Sequence, residues 1–145
     1  MMQKSILMAT ALYLLSALPL AAAEFKVYRQ SGCSCCGKWA EHLQAAGHVV
    51  TIVEGDDMSL IKQQAAVPES LQTCHTAMVE GYAIEGHVPM ADIDRLLRER
   101  PKAKGLAVAG MPLGSPGMEA EDGATEPYDV MLFGGDGGEV VFASH

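Results

Sequence analysis

Phe25-Lys26-Val27-Tyr28-Arg29-Gln30-Ser31-Gly32-Cys33-Ser34-Cys35-Cys36-Gly37-Lys38-Trp39 is the stretch on which the reading of the fold turns. Its first five residues alternate apolar and polar, the period-two signature of a half-buried strand. Gln30-Ser31-Gly32 supplies turn residues. From Cys35 the pattern changes: Trp39, Ala40, Leu43 and Ala46 recur at helical spacing and Gly47 ends the run. A strand, a turn and a helix therefore follow one another, with three of the four cysteines at the junction.

Working outward, the β-branched run His48–Val53 predicts a second strand, buried and parallel to the first. Gly55-Asp56-Asp57 provides an N-cap for a second helix over Met58–Ala66, which stops before Pro68. Cys74–Val79 and Tyr82–His87 read as a hairpin around Glu80-Gly81. Pro89 opens a third helix, with Ile93, Leu96 and Leu97 as its apolar stripe and Pro101 beyond its end. This β-α-β-α-β-β-α order is that of a thioredoxin-like α/β fold, a mixed sheet with helices on both faces. Lys104–Pro127 is rich in Gly, Pro and Met with little periodicity, which predicts a long ordered loop or covering flap. Tyr128–Phe133 and Glu139–Ala143 form a closing hairpin around Gly134-Gly135-Asp136-Gly137-Gly138.

The 145 residues suffice for one domain. Residues 1–23 read as a secretory leader, with Lys4 as a basic start, Ile6–Leu18 as the apolar stretch and Ala21-Ala22-Ala23 as the cleavage signal. A membrane anchor is the competing reading, but the apolar run is short against the ~20 residues of a span. The expected product is an exported chain of residues 24–145, with no membrane contact after cleavage. With Lys4 removed, 9 basic residues face 18 acidic ones. That balance disfavours nucleic acid and anionic membrane as partners. No Ser-His-Asp arrangement, phosphate loop or His-Glu-x-x-His pattern marks a hydrolase.

The chemistry resides in the thiols. Outside the cytosol thiols tend to pair, yet Cys35–Cys36 is vicinal and Cys33–Cys35 closes an awkward ring. Only Cys33–Cys36 pairs easily, and it has the spacing of a redox Cys-x-x-Cys. A helix N-terminus stabilises thiolate there, which serves redox chemistry and metal binding alike. The fourth cysteine, in Thr73-Cys74-His75, falls where a strand start would face the cysteine turn. Four thiolates around one point suit Cu(I) or Zn(II). Structural zinc sites usually use two separated knuckles, whereas crowded sulfur bridges several Cu(I) ions, so copper is favoured and zinc is the alternative. Met111 and Met118 of the flap are further candidate ligands, set against simple loop packing. His75 neighbours Cys74 but points to the opposite sheet face if the segment is extended. His87 reaches the site only if the flap folds over it. His42 and His48 read as surface residues, and Trp39 as a packing residue that also shields the sulfurs. A thiol–disulfide oxidoreductase using Cys33 and Cys36, and a zinc-stabilised interaction module, are the competing functions.

Val27-Tyr28 before Cys33-x-Cys35-Cys36-Gly37-Lys38-Trp39, then Cys74-His75-Thr76, resembles the CopG-type periplasmic copper-resistance proteins. So do Gly81-Tyr82-x-Ile84-Glu85-Gly86-His87-Val88-Pro89 and the segment from Lys104 to Glu119. The likeness spans nearly all of the chain after the leader. It implies a thioredoxin-like fold, export, and a cysteine-bridged multinuclear copper site at Cys33, Cys35, Cys36 and Cys74. A role in copper tolerance, by sequestration or by copper redox handling, is implied as well, with another periplasmic copper-handling protein as a candidate partner. Ser31-Gly32 stands where such proteins commonly carry Pro-Thr.

Overall fold

The computed structural model describes residues 21–145. The leader expected over residues 1–23 therefore lies outside the described residues, apart from its last three. In chain order the elements are β1 (Glu24–Gln30), α1 (Ser34–Ala45), β2 (Val49–Gly55), α2 (Ser59–Gln64), a 3₁₀ turn (Glu69–Leu71), β3 (His75–Val79) and β4 (Tyr82–Glu85). They continue with α3 (Met90–Glu99), β5 (Gly105–Ala107), β6 (Asp129–Gly135) and β7 (Gly138–Ser144). The seven strands form one mixed sheet in the order β2-β1-β3-β4-β5-β6-β7. No described helix is long and apolar enough to cross a membrane.

The first strand–turn–helix forms as its pattern predicts. Phe25 and Val27 point into the core from β1. α1 buries Cys36, Trp39, Ala40 and Leu43, an i, i+3, i+4, i+7 stripe. α3 buries Ile93, Leu96 and Leu97 and ends at Arg100, whose left-handed backbone (φ 51°) precedes Pro101. These residues meet Ile84, Leu106 and Val130 of the sheet in the main core.

Three expectations need correction. β2 is parallel to β1 but is an edge strand, with Val49 55% and Ile52 40% exposed. A β-branched run shows strand preference and does not report which neighbours cover it. The flap region is not all loop: Gly105–Ala107 pairs in parallel with β4 and antiparallel with β6. Three residues, one of them glycine, are too few to show a period. His48, expected at the surface, is buried against Phe25. Its Nδ1 accepts the N–H of Ala23, itself only 4% exposed, so the last residue assigned to the leader packs into the core.

Register brings the chemistry together. β1 and β3 are antiparallel, with Arg29 opposite His75. The cysteine turn that follows β1 therefore abuts the residues that precede β3. β4 returns antiparallel to β3, with Glu85 opposite Thr76, which carries Gly86 and His87 to the same end of the sheet.

Candidate metal centre

The cysteine turn caps α1. Cys33 is the N-cap residue and no side chain caps the helix, so its N–H groups and positive dipole end stand open among the sulfurs. Arg29 reaches over from β1, its Nη1 donating to the Cys33 carbonyl (3.2 Å) while Nε donates to Glu54 (3.0 Å). Cys33 and Cys36 are joined in a disulfide. Cys35 and Cys74 are free thiols, both partly exposed. This departs from the expectation of four reduced sulfurs, because the Cys-x-x-Cys spacing on a helix start is also the easiest pairing. The expected gathering does occur: the sulfurs of Cys33, Cys35, Cys36 and Cys74 all lie within 4.8 Å of one another.

A second group overlaps it. Cys74 Sγ, His75 and His87 also offer ligand atoms mutually within 4.8 Å. Cys74 Sγ lies 3.5 Å from His75 Nδ1 and 3.7 Å from His87 Nε2. His75 does not turn away from the thiol as strand alternation predicts. Cys74 precedes β3 rather than belonging to it, so the alternation does not extend to that pair. Trp39 packs beside the His75 ring at 4.5 Å between centroids and donates its indole N–H to the Val88 carbonyl (3.0 Å).

The flap closes over this wall. His87 Nδ1 lies 2.8 Å from the Pro116 carbonyl, which can only accept, so Nδ1 carries the proton and Nε2 presents its lone pair to Cys74. Gly117, at φ +88°, sits so close that an added Cβ would lie 2.7 Å from the Cys35 carbonyl and 3.3 Å from His87 Nδ1. Glu119 anchors the flap to α1 through His42 (2.6 Å) and accepts the Gly117 N–H (2.9 Å). Met118 follows on from Gly117 and is partly buried, whereas Met111 is 53% exposed on the flap.

Beneath the wall lies a polar network. Glu85, with no exposed surface, accepts the Thr73 N–H (2.6 Å), the Thr76 hydroxyl (2.6 Å) and the buried Lys62 ammonium. Lys62 also donates to Thr76 (3.0 Å). The network pins both sides of Cys74–His75. Lys62 has no motif signal, but an acid in the apolar strand Tyr82-Ala83-Ile84-Glu85 signals a buried charge that needs a partner.

Burial sets the protonation of the wall. It pushes the Cys74 thiol up to about 12, with the nearby Cys35 sulfur adding to the effect. Burial pushes His75 down to about 3, helped by His87 and Lys62. Burial lowers His87 as well, opposed by the Pro116 carbonyl and Glu119. Both rings are therefore neutral near pH 7, the form that binds a metal.

Fold and site together define a mixed α/β protein with a sulfur cluster and two neutral histidines at one end of its sheet. A family profile described as "Protein of unknown function, DUF411" matches residues 71–118. Among solved structures, "Copper resistance protein copG- Form 2" is 42% identical, with a TM-score of 0.80 and coverage of 86% of this chain and 99% of that one. "Copper resistance protein copG- Form 1" is likewise 42% identical, with a TM-score of 0.79 and coverage of 86% and 98%. No curated protein sequence matches the chain. The chain belongs to the CopG copper resistance protein family, as its motifs imply.

Proposed function

We propose that this protein is exported to the periplasm and holds several Cu(I) ions in a cluster bridged by Cys33, Cys35, Cys36 and Cys74. His75 and His87 adjoin Cys74 at the edge of the cluster, and Met118 and Met111 of the flap are further candidate ligands. The protein acts in copper tolerance by sequestering the metal or handling its oxidation state, and passes copper to a periplasmic partner. The element order, with the first four strands arranged β2-β1-β3-β4, supports a thioredoxin-like reading of the scaffold. Relatives titled as copper resistance proteins support copper as the cargo.

The observation that carries the reading is the convergence of four sulfurs, one from a distant segment, within 4.8 Å. Soft thiolates select Cu(I). Loading the full cluster requires the Cys33–Cys36 bond to open, taking two electrons and two protons from a dithiol reductant, which leaves as a disulfide. Titration of the reduced protein with Cu(I) against a chromophoric chelator tests this. Several coppers per chain are expected, and Cys74→Ser should lose most of them. One metal per chain, or unchanged loading in that variant, sinks the proposal.

The disulfide favours a second reading, a thiol–disulfide oxidoreductase using Cys33 and Cys36. Turnover of a peptide disulfide by metal-free protein, lost in Cys36→Ser, would support it over the first.

A further inference from the structure

Closure of Cys33–Cys36 removes two of the four sulfurs from metal binding, and the remaining donors are not scattered. Cys74, His75 and His87 keep one thiol and two imidazoles close together, and the second free thiol, Cys35, lies within 4.8 Å of Cys74 on the other side of it. A tetrahedral ion with metal–sulfur bonds of ~2.3 Å and metal–nitrogen bonds of ~2.0–2.1 Å sets its sulfur and nitrogen ligands about 3.6 Å apart. The observed separations are 3.5 Å to His75 Nδ1 and 3.7 Å to His87 Nε2.

Three further features fit a cation between these atoms. The His87 ring is held from behind by a backbone carbonyl, the arrangement that fixes the tautomer of a metal-binding histidine and raises its basicity. His75 is fully buried against the Trp39 ring, with its Nδ1 3.5 Å from the thiol. Finally, the Glu85 network fixes both neighbours of the Cys74–His75 pair, so the donors are preorganised rather than collected by the ion.

We propose that Cys74, His75 and His87 form a self-sufficient site for one divalent borderline cation, of the zinc or cobalt type, while Cys33–Cys36 stays disulfide-bonded. Nitrogen and sulfur donors in this ratio suit such ions better than they suit several Cu(I). On binding, the Cys74 thiol gives its proton to solvent and the thiolate sulfur bonds the metal; no electron moves. Combined with the copper proposal, this makes the oxidised and reduced forms differ in which metal they hold and in how many ions. The inference stands on the geometry of this wall and does not require the copper proposal.

The test is titration of the disulfide-intact protein, verified by counting two free thiols, with Co(II) alone and then with Zn(II). One equivalent of Co(II) is expected, with intense tetrahedral ligand-field bands and a sulfur-to-cobalt charge-transfer band that zinc abolishes. X-ray absorption should report two nitrogens and one sulfur from the protein. His87→Gln and Cys74→Ser should each weaken binding at least tenfold. Cys33→Ser/Cys36→Ser should retain the spectrum, which keeps the test independent of whether the single-site variants fold well. Absence of the charge-transfer band in the wild type, a sulfur-only shell, or loss of the spectrum in the double variant would overturn the proposal. Failure here with normal Cu(I) loading of the reduced protein removes this site alone; the reverse result removes the copper cluster alone.

Discussion

Cys33, Cys35 and Cys36 owe their proximity to a single turn of chain, whereas Cys74, His75 and His87 reach the same place from around two strands and are held by distant residues. The turn is steadied from outside by Arg29 and Glu54, a partly exposed pair. The wall is steadied from within by Glu85, Lys62, Thr73 and Thr76, and from above by Pro116 and Gly117. One side carries the disulfide, with Cys36 buried in α1. The other keeps fixed donors whatever the redox state of the turn. Proximity along the chain gives reactivity, and burial gives preorganisation.

The sharpest way to break this contrast is to remove the charge beneath the wall. Glu85→Ala leaves the Lys62 ammonium buried and unpaired, which costs about 3–5 kcal/mol. The melting temperature should fall on the order of 10–20 °C. Lys62→Met combined with Glu85→Leu should recover much of that loss while leaving Cys74 less well placed for metal. A single variant that melts like the wild type would mean the network does not hold the wall.

Gly117→Ala strikes the flap. The left-handed backbone and the contacts with Cys35 and His87 should cost on the order of 1–3 kcal/mol. Protection of the flap amides against hydrogen exchange should drop while α3 stays protected; uniform protection would show that the flap does not depend on this close approach.

Acid should act on the wall and spare the turn. Burial keeps His75 neutral down to about 3, whereas in the unfolded chain it protonates near 6.5. Between those values the unfolded state binds the extra proton, so stability is full above about pH 6.5 and declines as pH falls through the window. The slope should approach ~1.4 kcal/mol per pH unit from this group, and His87 adds in the same direction. Denaturant midpoints between pH 7 and 5 would reveal it, and His75→Gln should flatten the profile. An unchanged slope in that variant would assign the acid sensitivity elsewhere.

The smallest effect belongs to the turn. Arg29→Met breaks a partly exposed ion pair and should cost no more than about 1 kcal/mol, with the hydrogen bond to the Cys33 carbonyl also lost. A larger loss would show that the turn, too, relies on distant support.

Local pattern carried far in the strand–turn–helix, the β3–β4 hairpin and α3, because period and turn chemistry are properties of short segments. It carried less far for β5, where three residues hold no period, and for β2, whose exposure follows from its edge position among the described residues. In the site, the four cysteines were visible as residues that have no reason to cluster unless they share a task. The orientation of His75, the tautomer of His87 and the partner of Glu85 were not visible, since each depends on a group from another segment.

Sequence alone determined that three thiols sit on a helix start, that a fourth lies beside a later strand, and which family the motifs resemble. Tertiary structure alone decided that β1 and β3 bring those thiols within reach, that Cys33 and Cys36 are joined, and that two neutral imidazoles complete the wall. The physical reason is that spacing along the chain sets what neighbours can do to each other, while strand register and burial set what strangers meet and which protons they keep.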